Sequence, residues 1–426
     1  MIEVRELRAY EILDSRGRPT VLATCTLGSG ATGAASVPSG ASTGRAEAHE
    51  LRDGDVDRYG GLGCRLAVAN VNGEIRTALV GSQFEHHATL DRALIELDGM
   101  PDKSRLGANA ILATSLAVAR ACAAGDGIPL YRHLATLVDS DAEALQLPRP
   151  TVNLFSGGKH AGGQMPLQDV LVTPMAAGTV DEAMAMISAV VRAAVRRCAE
   201  RYGMRALVAD EGGLAPEFAR VEDAFEDAVA AIEMAGLVPG RDVALCIDVA
   251  SSHFHADGAY AIDGRQLTSG QMIDVIDSWV GRYPIVSVED GLHEDDWEHW
   301  PLLVERIGRR ALVLGDDFLT TNPTRIRGAI EAGAATALLL KVNQIGTLTE
   351  AAEAMRLARE AGMAVVVSAR SGETEDDWLA DLAVGWGGDQ LKVGSVTRSE
   401  RLAKWNRILT IADATAWPLA PWPTKV

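Results

Sequence analysis

Six short apolar runs in the second half of the chain constrain its fold most strongly. The runs are "ALCIDVA", "PIVSVED", "ALVLGDD", "ALLLKVN", "AVVVSAR" and "DQLKVG", and helical patterns such as "TRIRGAIEAGAA" and "LTEAAEAMRLAREAGM" separate them. A strand and a helix repeated along the chain predict a (β/α) barrel, and strands that are apolar throughout fit a parallel sheet covered on both faces. Each run carries a charged residue near its end: Asp248, Glu289, Asp316, Lys341, Arg370 and Lys392. Because such barrels place the carboxyl ends of their strands at one mouth, we expect these six side chains to converge on one cavity.

The first ~140 residues lack this repeat and are predicted to form a separate α+β domain. The segment "TVLATCTLGSGATGAASVP" has the β-branched and turn residues of a strand pair, and Leu106–Gly127 has helical spacing that stops at glycine. Periodicity is lost in "TLVDSDAEALQLPRP", so we place the domains at residues 1–138 and 139–426.

Composition excludes several classes of function. The net charge of −18 argues against nucleic acid or a membrane as partner, because phosphate binding needs clustered Lys and Arg. Five scattered cysteines without CxxC spacing indicate free thiols in a reducing compartment. The N-terminus has no secretory pattern, and no run of 18 residues is apolar throughout. We therefore predict a cytoplasmic location.

The strand-end residues predict metal-assisted proton removal. Asp248, Glu289 and Asp316 offer carboxylate oxygens without His or Cys, which suits a hard cation such as Mg²⁺. Lys341 and Lys392 come later around the barrel, and a partly desolvated lysine beside a divalent cation has a lowered pKa and can act as a base. Such a site can remove the proton next to a carboxylate. A single acid or lysine at a strand end is more often a cap or a surface charge, but six in successive units favour a site.

Three loops fit an anionic substrate. Val37–Gly54 is rich in Gly, Ser and Thr and could fold over the site, although most such loops have no binding role. Ser156–Asp169 surrounds His160 with glycines and leads through Gln168 into a strand, which favours a mobile lid over a purely structural histidine. Val208–Pro216 places Asp210 and Glu211 before a Gly-Gly turn, where a general acid or a helix cap would fit.

Motifs along nearly the whole chain resemble the enolase (phosphopyruvate hydratase) family. They are "EILDSRGRPTV", "VPSGASTG", "LGANAIL", "SGGKHAGG", "DEGGLAP", "SVEDG", "GDDFLTTNP", "LLLKVNQIGTLTE", "RSGETEDDW" and "RSERLAKWNRIL". The resemblance implies an α/β fold, in which a modified (β/α)8 TIM barrel carries an N-terminal α+β capping domain. It also implies a small phosphorylated substrate, two Mg²⁺ ions, and a homodimer or higher homo-oligomer.

The resemblance further implies a role for each matching residue. The first Mg²⁺ would lie on Asp248, Glu289 and Asp316, and the second would use Ser42. Lys341 would be the base at C2, Glu211 would help the 3-hydroxyl leave, and His160 would close over the phosphate held by Arg370 and Ser371. Gln168 and Lys392 would contact the substrate.

Several positions depart from the family pattern. Ala369 replaces a histidine, and Asp169, which we count among the catalytic residues, replaces a glutamate. Lys159 adds a cation to the His160 loop and is predicted to bind a larger or more anionic substrate. The remaining departures are Ser156, Ala209, Gly291 and Val393. Misplacing one catalytic group commonly costs ~10²-fold in rate, so these changes indicate an altered reaction.

Three functions fit this pattern. We predict a diverged paralogue that abstracts the C2 proton of 2-phosphoglycerate, such as the carboxyphosphonoenolpyruvate synthases of phosphinate antibiotic biosynthesis, which also use an activated phosphonoformate. The alternative is an ordinary enolase that converts 2-phosphoglycerate to phosphoenolpyruvate and water. A catalytically inactive binding protein is less consistent with the retained metal acids and lysines.

Overall fold

The second half of the chain forms a closed barrel of eight strands. The structure is a computed structural model that describes residues 1–41, 44–140, 145–203 and 207–423. The barrel strands are β5 (Arg149–Ser156), β6 (Asp169–Pro174), β7 (Val243–Asp248), β11 (Ile285–Glu289), β12 (Leu312–Gly315), β13 (Ala337–Leu340), β14 (Ala364–Ser368) and β15 (Gln390–Gly394). They follow one another in this order and close through β15 and β5. The predicted barrel and capping domain are therefore confirmed.

Strand β6 departs from the all-parallel arrangement. It pairs antiparallel with both of its neighbours, so that Asp169 lies opposite Ser156 of β5 and Asp248 of β7. The first residue of β6 therefore lies at the same barrel end as the last residues of β5 and β7. As a result, the loop before β6 contributes to the mouth.

The predicted strand ends lie at this mouth. Asp248 and Glu289 are the last residues of β7 and β11, and Asp316 and Lys341 directly follow β12 and β13. Lys392 lies within β15. These strand ends therefore lie together at one end of the barrel.

The capping domain contains an antiparallel sheet in the order β3-β2-β1-β4. These strands are β1 (Ile2–Leu13), β2 (Pro19–Leu27), β3 (Thr32–Ser36) and β4 (Gln83–Phe84), and β2 with β3 is the predicted strand pair. A third sheet, inserted after β7, contains β8 (His255–Ala256), β9 (Ala259–Ile262) and β10 (Arg265–Leu267).

The helices complete both domains. In the capping domain they are α1 (Arg65–Asn70), α2 (Arg76–Leu79), α3 (His87–Asp98), α4 (Ala108–Asp126) and α5 (Leu130–Ala135). In the barrel they are α6 (Val180–Tyr202), α7 (Val221–Met234), α8 (Ser269–Arg282), α9 (Trp300–Ile307), α10 (Pro323–Ala332), α11 (Leu348–Glu360), α12 (Trp378–Gly385) and α13 (Ser399–Thr415). The predicted helices "TRIRGAIEAGAA" and "LTEAAEAMRLAREAGM" are α10 and α11.

Helix α4 is the buried centre of the capping domain. A Cβ built on Gly33 of β3 would lie 2.3 Å from Ala117 O and Ala121 N, so the α4 backbone packs directly on the sheet. The helix is long and apolar enough to cross a membrane by length and composition, but 83% of its apolar window is buried inside the protein. Its apolarity is therefore that of a core helix. It ends at Gly127, which has a φ of 65° and the left-handed conformation expected of a glycine stop.

The turn between β1 and β2 connects the capping domain to the barrel. Asp14 accepts hydrogen bonds from the backbone of the turn and from the guanidinium of Arg16. Arg16 also donates to Ser371 Oγ at 3.1 Å and to Ser39 O at 3.0 Å. The backbones of Ser39 and Gly372 exchange two hydrogen bonds. The loop after β14 is thus held by two segments of the capping domain.

We predict that Gly372→Ala weakens this connection. A Cβ at Gly372 would lie 2.2 Å from Asp14 Oδ2 and 2.4 Å from Arg16 Nη2, so that both groups must move. We expect the free energy of unfolding to fall by about 1–3 kcal/mol, measured by urea denaturation. The control is Gly270→Ala in α8, where a Cβ meets nothing within 4 Å and should not reduce stability. Equal losses in the two variants would contradict the packing argument.

Candidate active site

The barrel mouth encloses a small polar cavity. Eleven described residues line it: Ala41, His160, Gln168, Glu211, Asp248, Lys341, Ser368, Ala369, Arg370, Ser371 and Lys392. Eight of them belong to the predicted site set, and Ala41 comes from the capping domain. A larger cavity of about 480 Å³ lies beside α3, α4 and α11, but none of the predicted site residues that the structure describes lines it.

Lys392 joins two of the predicted metal ligands. Its ammonium donates to Asp248 Oδ2 at 3.0 Å and to Glu289 Oε2 at 2.6 Å, and all three groups are buried. Burial and the neighbouring Asp248 raise the pKa of Glu289 well above its usual range. Burial also raises the pKa of Asp248, but the ammonium groups of Lys392 and Lys341 outweigh this and lower it. Two carboxylates of unequal basicity therefore share one lysine.

Lys341 pairs with the third predicted ligand. Its Nζ lies 2.5 Å from Asp316 Oδ2, and the other carboxylate oxygen accepts a hydrogen bond from Gln344 at 2.8 Å. Burial lowers the pKa of Lys341, but the Asp316 carboxylate outweighs burial and raises it. The lowered pKa predicted for a lysine beside a divalent cation stays a prediction. That prediction considered a cation beside the lysine, whereas the contact here is with an anion.

Asp290 organises the backbone that carries Asp316. Its two carboxylate oxygens accept hydrogen bonds from the backbone amides of Asp316 and Asp317, and its own φ is 42°. Burial and the charge of Asp317 raise the pKa of Asp290 well above its usual range. Burial and Asp316 raise the pKa of Asp317 to about 8. Asp290 thus orients a neighbour instead of facing the cavity.

The residues at the mouth fit a hard cation. The available ligands are carboxylates, and Glu289 Oε1 and Gln168 Oε1 are buried without a hydrogen-bond partner among the described residues. One group of three carboxylates, Asp290, Asp316 and Asp317, has oxygens within 4.8 Å of one another, but Asp290 already accepts two amides. We therefore favour Asp248, Glu289 and Asp316, which face the two lysines. Ser42, the predicted ligand of a second ion, lies outside the described residues.

A second cluster surrounds His160. Its Nδ1 lies 2.9 Å from Asp169 Oδ2, and its Nε2 lies 3.7 Å from Glu211 Oε1. Asn153 Nδ2 donates to Asp169 Oδ1 at 2.8 Å and to Glu211 Oε2 at 3.0 Å, and Ser156 Oγ donates to Asp169 Oδ1 at 2.5 Å. The side chains of this cluster are buried. The structure therefore brings the predicted residues His160, Asp169 and Glu211 together.

The protonation of this cluster follows from its charges. Burial lowers the pKa of His160, but Glu211 and Asp169 outweigh burial and raise it to about 9. Burial raises the pKa of Asp169. Burial acts in the same direction on Glu211, but His160 and Arg401 outweigh it and lower that pKa. A cationic imidazole between two carboxyl groups is the favoured state at neutral pH.

The guanidinium of Arg370 and the hydroxyl of Ser371 also line the cavity. The guanidinium of Arg370 is held by a bidentate contact with Glu47, at 3.0 and 3.1 Å, and by Asn343 Oδ1 at 3.0 Å. Arg401 donates to the carbonyl oxygens of Arg370 and Ser371, each at 2.6 Å. The backbone and the side chain of Arg370 are therefore both fixed before any ligand binds.

The departures from the family pattern fall at different places. Ala369 lines the cavity, and its backbone amide donates to Lys392 O at 2.9 Å. Ser156 contacts Asp169, so two departures touch each other. Lys159 is exposed and is not one of the described cavity residues. Gly291 packs against Leu303 and Ile276, so not every departure lies at the site.

Sequence reasoning missed four residues that support the site: Arg16, Glu47, Asn153 and Gln344. Glu47 lies in a loop from which we expected only hydroxyl and backbone donors, yet its carboxylate contacts both Arg370 and Gln344. Gln344 lies in the specific motif "LLLKVNQIGTLTE", three residues after Lys341. The short 3-10 turn Val342–Gln344 brings its side chain back toward Asp316, and this turn could not be inferred from apolar periodicity.

Two family models match the chain. The enolase N-terminal domain matches residues 4–134, and the enolase C-terminal TIM barrel domain matches residues 144–417. Together they span both domains of the structure.

We predict a pH-dependent contribution of His160 to stability. Its folded pKa of about 9 exceeds the ordinary value of 6.5, so its stabilisation is fully present below pH 6.5 and is lost as the pH rises through about 9. The difference in unfolding free energy between the native protein and His160→Gln should shrink by up to about 3 kcal/mol over that window. Urea denaturation at several pH values measures it. Thr173→Val, which loses a buried hydroxyl elsewhere on β6, should show no such trend. A pH-independent difference for His160→Gln would contradict the assignment.

Proposed function

Because this chain belongs to the enolase family, we propose that it is a Mg²⁺-dependent enzyme that removes the C2 proton of 2-phosphoglycerate. The observation that supports this best is the pairing of Lys341 and Lys392 with three carboxylates from consecutive strands β7, β11 and β12 around one cavity. Burying several charged groups together costs desolvation free energy and so lowers the stability of the fold. Their presence therefore favours a catalytic role over a structural one.

Lys341 is the proposed base. Lys341 lines the cavity, and its neutral amine, which a cation bound to Asp316 would favour, would accept the proton from the carbon next to the substrate carboxylate. The electron pair of the broken C–H bond moves toward that carboxylate. Asp248, Glu289 and Asp316 would hold Mg²⁺, which would neutralise the charge that develops on the carboxylate oxygens. Lys392 and Gln168 lie beside Asp248 and would orient the substrate.

Arg370 and Ser371 are the proposed phosphate ligands. Arg370 is fixed by Glu47, and the Ser371 hydroxyl is fixed by Arg16 of the capping domain. Both residues line the cavity on the side that carries Ala369. His160 lines the same cavity, and Lys159 on the same loop would add positive charge for a further anionic group.

The step after proton removal is proposed to differ from ordinary dehydration. The methyl group of Ala369 lines the cavity where the family has an imidazole, and Asp169 is one methylene shorter than the family glutamate. Extra room beside an anion site fits a second, phosphonate substrate. An enzyme such as a carboxyphosphonoenolpyruvate synthase is therefore our first candidate.

Ordinary conversion of 2-phosphoglycerate to phosphoenolpyruvate is the second candidate. The position of Glu211 favours it, because this carboxyl group lines the cavity next to His160, where it could assist departure of the 3-hydroxyl. Association into a homodimer or higher oligomer and a cytoplasmic location stay predictions.

Exchange of the C2 proton of 2-phosphoglycerate with deuterated water tests the proposal. With Mg²⁺, we expect exchange by NMR and little phosphoenolpyruvate by absorbance, and we expect Lys341→Ala and Glu289→Gln to abolish the exchange. The control is Asp274→Asn, at an exposed ion pair with Arg306, which should retain it. Rapid phosphoenolpyruvate formation would favour the second candidate, and absence of exchange would refute both.

Restoring an imidazole at the departure site should move the reaction toward dehydration. We expect Ala369→His to raise the rate of phosphoenolpyruvate formation by about tenfold or more, because a positioned imidazole is worth up to ~10²-fold. Ala199→His, on the exposed face of α6, controls for the added side chain. If Ala369→His leaves the rate unchanged, the missing imidazole does not explain the altered reaction.

A further inference from the structure

Asp169 is turned away from the space where a substrate would bind. It is 0% exposed, and it is not among the described residues that line the cavity, although Gln168, His160 and Glu211 are. The carboxylate of Asp169 therefore does not face the substrate space, whereas the imidazole of His160 lines it.

Three donors hold the Asp169 carboxylate in this retracted place. Ser156 Oγ and Asn153 Nδ2 both donate to Oδ1, at 2.5 and 2.8 Å, and His160 Nδ1 lies 2.9 Å from Oδ2. Ser156 and Asp169 are directly opposite each other on the antiparallel strands β5 and β6. Their side chains therefore share one face of the sheet, where the serine hydroxyl and the aspartate carboxylate meet at these lengths.

The space around Ser156 is limited. A Cβ built on Gly213 would lie 2.3 Å from Ser156 Oγ, so the Gly213 backbone packs against the hydroxyl. A longer side chain at position 156 would extend toward the Asp169 carboxylate or displace the Gly213 turn, which follows Glu211. A longer carboxylate at position 169 would shift its oxygens from the positions where Ser156, Asn153 and His160 now meet them. The lengths of the two side chains are thus coupled.

We propose that Ser156 and Asp169 form a size-matched pair that acts as a positioning device, in which Ser156 and Asn153 fix the carboxylate and the carboxylate fixes the His160 ring at the cavity wall. Asp169 then acts through His160 and does not touch the substrate. Only the rate measurements below rest on the proposed function. The placement of His160 can be measured without substrate.

The first experiment compares Ser156→Ala with Thr173→Val. Both remove a buried hydroxyl from the β5–β6 region, but Thr173 donates to Pro150 O and contacts no member of the cluster. We expect Ser156→Ala to shift the NMR titration midpoint of the His160 ring by about half a pH unit or more and to lower C2 exchange by about tenfold, mainly in kcat. Thr173→Val should change neither. If both variants leave the His160 titration where it is in the native protein, the proposal is overturned.

The second experiment is a double-mutant cycle at positions 156 and 169. Ser156→Asn and Asp169→Glu should each lower C2 exchange by about 10-fold or more, because each disturbs the match with the other. The double variant restores a long carboxylate opposite a long amide and should exchange faster than either single variant. If the loss of C2 exchange in the double variant equals the product of the losses in the two single variants, the proposal of a matched pair is overturned.

The two hypotheses can fail separately. If the native protein exchanges no C2 proton but Ser156→Ala still moves the His160 titration, the proposed function fails and the positioning role stands. If exchange occurs and Ser156→Ala behaves like Thr173→Val in both measurements, the function stands and the positioning role fails.

Discussion

The sharing of two ammonium groups, one buried and one partly buried, among three buried carboxylates is the interaction on which the barrel mouth depends. Lys392 contacts Asp248 and Glu289, and Lys341 contacts Asp316. Each of these charges would be strongly unfavourable if it were buried alone, so removing any one of them disturbs the pKa of the others. The apolar strands of the barrel supply the rigidity that holds the five groups together.

The antiparallel direction of strand β6 brings a second cluster of side chains to the barrel mouth. Because its first residue lies at the mouth, the loop that carries His160 folds back over the barrel, and Asp169 meets Ser156 and Asn153 of β5. An all-parallel barrel would place the end of this strand at the mouth instead. The acid–base cluster around His160 is thus a consequence of the reversed strand direction.

Much of this arrangement could be predicted from local pattern. The apolar runs, their terminal acids and lysines, and helices such as α4 and α11 follow from periodicity and from glycine or cap residues, which act within a few residues of chain. The direction of β6 could not be predicted, because it depends on the partners of the strand and not on its own residues. The same reason applies to Glu47 and Arg16, whose roles arise from contacts with residues more than 300 positions away. The sign of the pKa shift of Lys341 depends on which charged group lies nearest to it, and the tertiary structure determines which group that is.

The docking of the β1–β2 turn on the loop after β14 has a consequence for how such an enzyme can change. Arg16 and Glu47 belong to the capping domain, yet they hold Ser371 and Arg370 of the barrel. The boundary between the two folding units therefore runs through the anion side of the cavity. A chimera that joins this barrel to the capping domain of a relative would inherit a rebuilt anion site, so the two domains are expected to diversify together and not as exchangeable modules.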